Sequence, residues 1–154
     1  MKISDDSEEI FILKTEKIDR NKTVKVEIHN FNKKIYDQEN KKEPIISPKF
    51  KIGDTSLAVH VYPQDLVQKN SREFIAVYLV NEEEDIITAS FTLKHASGVE
   101  EIFSNEEIEP DKEIGATEFM SHEAYKEWAR NHGDVFQVEV QITLQCSAEW
   151  ISKK

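Results

Sequence analysis

Apolar and polar residues alternate with period two along much of this chain, as in strands that turn one face to a core. Thr23–Ile28 sets Val24, Val26 and Ile28 against Lys25 and Glu27. Between residues 45 and 80 the pattern predicts three strands: Ile45–Gly53, Leu57–Pro63 and Phe74–Val80. Gly53-Asp54 is a turn signal between the first two, and Pro63-Gln64-Asp65 stops the second. Ala89–His95 alternates again; Ala96-Ser97-Gly98 turns it back into a short strand, Val99–Phe103. The clearest alternation is the last, with Phe136, Val138, Val140, Ile142 and Leu144 facing one way. One helix is predicted near residues 121–131. Ser121 is its N-cap, Gly133 its stop, and Tyr125, Trp128 and Ala129 its apolar stripe. His29-Asn30-Phe31-Asn32 reads as the exit of the first strand. Residues 33–44, 81–85 and 104–113 read as polar or acidic loops. Strands at hairpin spacing with one short helix predict an all-β protein, an antiparallel eight-stranded β-sandwich.

The strand Phe74–Val80 departs from simple alternation. Ile75, Val77 and Leu79 form one apolar face, while Phe74, Ala76 and Tyr78 form a second. A surface strand of a sandwich needs only one apolar face. Two explanations follow from the residues. Either a loop or the N-terminal patch Ile10–Leu13 covers the stripe, or Phe74, Ala76 and Tyr78 form a trough for an extended peptide, with Ala76 as the floor between two aromatic walls.

Length and composition narrow the function classes. The chain has 154 residues, enough for one domain with a core. The expected division is a tail over 1–22, a domain over 23–146 and a short tail over 147–154. The net charge of −10 argues against nucleic acid or an anionic membrane as partner, because phosphate binding needs clustered Lys and Arg. The apolar runs fall short of the roughly 20 residues of a membrane helix, and the N-terminus has no apolar signal core. A single cysteine, Cys146, leaves no internal disulfide. The expected location is cytoplasmic or nuclear.

No constellation points to chemistry. The five histidines, His29, His60, His95, His122 and His132, show no ligand spacing and read as surface or turn residues. No nucleophile elbow or phosphate-cradling loop is present, and no carboxylate pair stands out among the acids. The expectation is a protein without catalytic residues, metal or cofactor. Trp128 reads as a core anchor. The acids Glu106, Glu107, Glu109, Asp111 and Glu113 are either a solvated loop or a rim that steers a basic peptide.

A set of segments in register resembles the meprin and TRAF homology (MATH) domain. Val26-Glu27-Ile28-His29-Asn30-Phe31 resembles its opening strand, and Ser47-Pro48-Lys49-Phe50-Lys51-Ile52-Gly53 its second signature. Leu57–Pro63 is similar to the strand ending Val-Tyr-Pro, and Phe74–Leu79 to the strand after it. Gly115-Ala116-Thr117-Glu118-Phe119-Met120 resembles the Trp-Gly-Phe-x-x-Phe-Ile segment. The order agrees from about residue 23 to 145. Leu57, Ile114 and Ala116 stand where the family has tryptophan, tryptophan and phenylalanine.

The resemblance implies a TRAF-like sandwich that binds short extended peptides beside an edge strand, in adaptors or ubiquitin-ligase substrate receptors. It also implies groove residues at Phe74 and at Lys112, Glu113, Ile114, Gly115 and Ala116. With Ile114 and Ala116 in place of aromatics, the family's consensus peptides are expected to bind weakly. The partner is expected to be a protein or peptide carrying basic residues, and the chain a monomer. The competing expectation is a structural or self-association module that uses the apolar stripe.

Overall fold

A computed structural model describes residues 20–36, 43–64 and 74–145. The patch Ile10–Leu13 and Cys146 lie outside the described residues. Among the described residues, nine strand segments and two helices run in the order β1 (Asn21–His29), α1 (Phe31–Ile35), β2 (Ile45–Ile46), β3 (Phe50–Ile52), β4 (Thr55–Tyr62), β5 (Phe74–Asn81), β6 (Ile87–His95), β7 (Glu100–Ile108), β8 (Glu113–Ser121), α2 (His122–His132) and β9 (Val135–Leu144). They form two antiparallel sheets, β1-β9-β6-β7 and β2-β4-β5-β8, with β3 also paired to β4. The architecture is the all-β sandwich that the alternation predicts.

The inward faces meet in one core. Leu57, Val59, Val61, Ile75, Val77, Leu79 and Ala116 come from one sheet, and Phe91, Leu93, Phe136, Val138, Val140 and Ile142 from the other. β2 and β3 are two pieces beside the same neighbour, parted at Ser47-Pro48-Lys49. Pro48 has no N–H to give a ladder. Ser47 bridges the break: its N–H donates to the Val59 carbonyl, and its hydroxyl accepts from Val59 N–H, both at 2.9 Å.

Three segments differ from the sequence reading. Phe31–Ile35 is a turn of helix, not an exit loop, and it buries Phe31 and Ile35. Phe31 stacks on Phe136 and meets Tyr125 edge-on, so aromatic packing overrides the polar character of the surrounding residues. Asp134 closes this corner: it accepts from Asn32 N–H and from the Tyr125 hydroxyl at 2.7 Å. Burial and that carboxylate push the Tyr125 hydroxyl above its ordinary pKa. Second, β7 continues through residues 104–108. An edge strand can carry acids toward solvent while it buries Ile108, and the extra residue is taken up at a bulge where Asn105 has φ +52°. Third, strand β1 begins at Asn21, inside the expected tail.

Helix α2 is capped as expected. The Ser121 hydroxyl accepts from Ala124 N–H, and Gly133, at φ +99°, donates to the Ala129 carbonyl. The reading of the histidines as surface or turn residues fails at three of them. His122 is buried and its Nε2 donates to the Pro63 carbonyl at 2.6 Å. His60 is half-buried. His95 is 1% exposed, stacked on Phe136 and edge-on to Trp128. Ser97 N–H donates to His95 Nδ1, so the ring proton sits on Nε2. Burial first, and His132 second, push the His95 pKa down to about 4. Trp128 packs against the core through this aromatic group.

Candidate functional site

The outer face of the second sheet is where an apolar strand meets polar chemistry. Alternation alone decides which side chains point there. On β4 they are Ala58, His60 and Tyr62; on β5, Phe74, Ala76, Tyr78 and Val80; on β8, Glu113 and Gly115. His60, Tyr78 and Gly115 form one row across the three strands, and Ala58, Val80 and Glu113 the next.

Glu113 organises the polar part. His60 Nδ1 lies 2.7 Å from its Oε2, and the Tyr62 hydroxyl donates to the same oxygen at 2.7 Å. A carboxylate only accepts, so both partners supply the proton. Among the described residues, Oε1 has no hydrogen-bond partner. The Glu113 side chain is 29% exposed and that of His60 16%. Tyr62 and Tyr78 meet edge to face with centroids 5.5 Å apart. Gly115, beside Glu113 on β8, carries no side chain over Tyr78. The result is a fixed carboxylate at the margin of two half-buried phenol rings.

Two acidic turns lie at the Glu113 end of the sheet. Asn81 is fully buried. Its side chain donates to the carbonyls of Asp85 and Ile108, both at 2.8 Å, and accepts from Glu83 N–H at 2.7 Å. Asp111 N–H donates to the Asn81 carbonyl. One side chain thus ties the turn 82–85 to the turn 109–112. Lys49 pairs with Glu82 at 3.6 Å.

The expected groove residues divide. Phe74, Tyr78, Glu113 and Gly115 are on the outer face, and Lys112 is exposed in the turn before β8. Ala76 is on that face but 0% exposed, opposite Tyr62; it is a closed floor and offers a ligand no surface. Ile114 and Ala116 point the other way. Ala116 is buried in the core opposite Val77, and Ile114 packs against the core opposite Leu79. Their place as groove residues is therefore corrected: the period of two carries them inward when Glu113 and Gly115 face out. His60 and Tyr62 were missed. Their signal was present, because they make the mixed face of their strand, but only the pairing with β5 brings that face beside Glu113.

Among the described residues no group of three or more His, Cys, Asp or Glu side chains converges as a metal site, and no helix is long and apolar enough to cross a membrane. Compared with known proteins, the chain matches no family model and no curated sequence. Fold and site together define an antiparallel two-sheet sandwich with a half-open aromatic and acidic face on one sheet.

Proposed function

We propose that this chain is a MATH-type, non-catalytic recognition module that binds a short extended peptide on the outer face of β4, β5 and β8. The observation that carries the reading is the half-open group of Phe74, Tyr78, Tyr62 and Glu113 at β8, which ends its sheet among the described residues. Phe74 and Val80, the register partner of Glu113, are six positions apart on β5, so the face is about 20 Å long and suits about six extended residues. Along Glu113–Ala116 the β8 edge is regular; beyond it Thr117 and Glu118 fall in a bulge. A ligand strand would pair with that short stretch and lay alternate side chains against the rings. Adaptor or substrate-receptor roles in a ubiquitin pathway, and a cytoplasmic or nuclear location, belong to the same reading.

His60 and Glu113 form a histidine–carboxylate pair, but the oxygen they share also receives the Tyr62 hydroxyl. That arrangement orients a carboxylate and supplies no nucleophile. The test is a library of extended peptides followed by amide-shift mapping of a retained one. Shifts confined to β4, β5 and β8 are expected, with micromolar affinity and fast exchange. Shifts on the β1-β9-β6-β7 sheet instead would overturn the assignment. The β8 edge also supports a second reading, self-association. Light scattering separates the two: the expected mass is that of one chain, and a concentration-dependent dimer favours the second.

A further inference from the structure

The geometry points to Glu113 as the seat of a cationic side chain, lysine or arginine, on the bound peptide. This rests on the peptide-recognition reading and names what the face would select.

Glu113 is prepared as an acceptor. Both internal donors, His60 Nδ1 and the Tyr62 hydroxyl, use Oε2 and leave Oε1 for a ligand. A carboxylate held by two hydrogen bonds loses little further freedom on binding, so a third donor meets it at low entropic cost. The donor most favoured there is a charged one, because charge-assisted hydrogen bonds are about twice as strong as neutral ones. The Tyr62 and Tyr78 rings stand beside it, and aromatic faces attract ammonium and guanidinium groups. The charge around the seat is mostly of the same sign, with the exposed Lys112 beside Glu113 in the chain as the exception. The turns that Asn81 ties together carry Glu82–Asp85 on one side and Glu109 and Asp111 on the other. Lys49 is taken up by Glu82. Loop acids raise the encounter rate, whereas the oriented carboxylate sets the preference.

An arginine side chain and its neutral isostere citrulline separate charge from shape. In amide-shift titrations, Nα-acetyl-argininamide at millimolar concentration is expected to move Tyr78, Val80 and Gly115, with Nα-acetyl-citrullinamide leaving them in place. Glu113→Gln keeps an acceptor oxygen for Tyr62 and is expected to abolish the arginine response. Equal shifts with citrulline, no localised shift with arginine, or a response that survives Glu113→Gln each overturn the seat. A second arm uses a peptide library with and without citrulline in place of arginine. The expected loss on replacement is about tenfold in affinity for the wild-type chain and near none for Glu113→Gln. If peptides bind equally well with citrulline, the seat falls and peptide recognition stands. If argininamide maps to the site but no peptide is retained, peptide recognition falls and the seat stands.

Discussion

Replacing Gly115 by alanine tests the packing of the site most directly. A Cβ built there would lie 2.2 Å from the Val77 carbonyl oxygen and 2.8 Å from Tyr78 Cα. Both obstacles are backbone of the neighbouring strand, so no rotamer change relieves them. An ordinary contact needs about 1 Å more, and opening β5 from β8 by that amount stretches the local ladder bonds past useful length. Two or three backbone hydrogen bonds at about 1 kcal/mol each give an expected loss of about 2–4 kcal/mol. For a domain of this size that is about 10 °C in melting midpoint. Gly98→Ala is the control. Nothing lies within 4 Å of its added Cβ, and only the strained φ of +105° opposes it, for about 1 kcal/mol. Urea denaturation gives both values, and amide exchange near Val77 and Ala116 should accelerate only in Gly115→Ala. A Gly115→Ala protein within 0.5 kcal/mol of wild type would refute the close approach.

Three further outcomes follow from the structure. His95 takes up a proton far more readily unfolded than folded, since its folded pKa is pushed down to about 4 from an ordinary value near 6.5. Its contribution is therefore complete above about pH 6.5 and is lost as pH falls toward 4, up to about 3 kcal/mol; in denaturation series, His95→Leu should show a flatter slope across that window, and an unchanged slope would count against the buried neutral ring. Asn81→Ala removes three hydrogen bonds from a fully buried side chain and should cost about 2–4 kcal/mol by chemical denaturation, whereas a loss below 1 kcal/mol would show that the two turns hold without it. Phe74→Ala should leave the sandwich folded, with a loss near 1–2 kcal/mol for a half-buried ring, and remove most peptide binding; a loss of 3–5 kcal/mol would mark Phe74 as core instead.

The face at Glu113 also explains how a resemblance in sequence can mislead about individual residues. Ile114 and Ala116 stand where the pattern they resemble has aromatics, and both face the core here. The outer face is built by other residues, Tyr62 and His60, two strands away from Glu113 in the sheet.

Period-two alternation by itself determined the sandwich. It also marked which residues of β4, β6 and β9 enter the core, because burying one face of a sheet requires that period whatever the partner strand is; β5, apolar on both faces, needed the partner sheet to decide. The ends of α2 were equally legible, since Ser121 and Gly133 act through bonds within a few residues of themselves. What depends on distant partners was not. Phe31 became helical because Phe136 and Tyr125 were waiting for its ring, and the strand β7 outran its acidic composition because Ile108 had a core to enter. The Glu113 cluster belongs to the same kind. His60 and Tyr62 stand more than fifty residues from Glu113 in the chain and meet it only when β5 sits between β4 and β8, a pairing that no local pattern encodes.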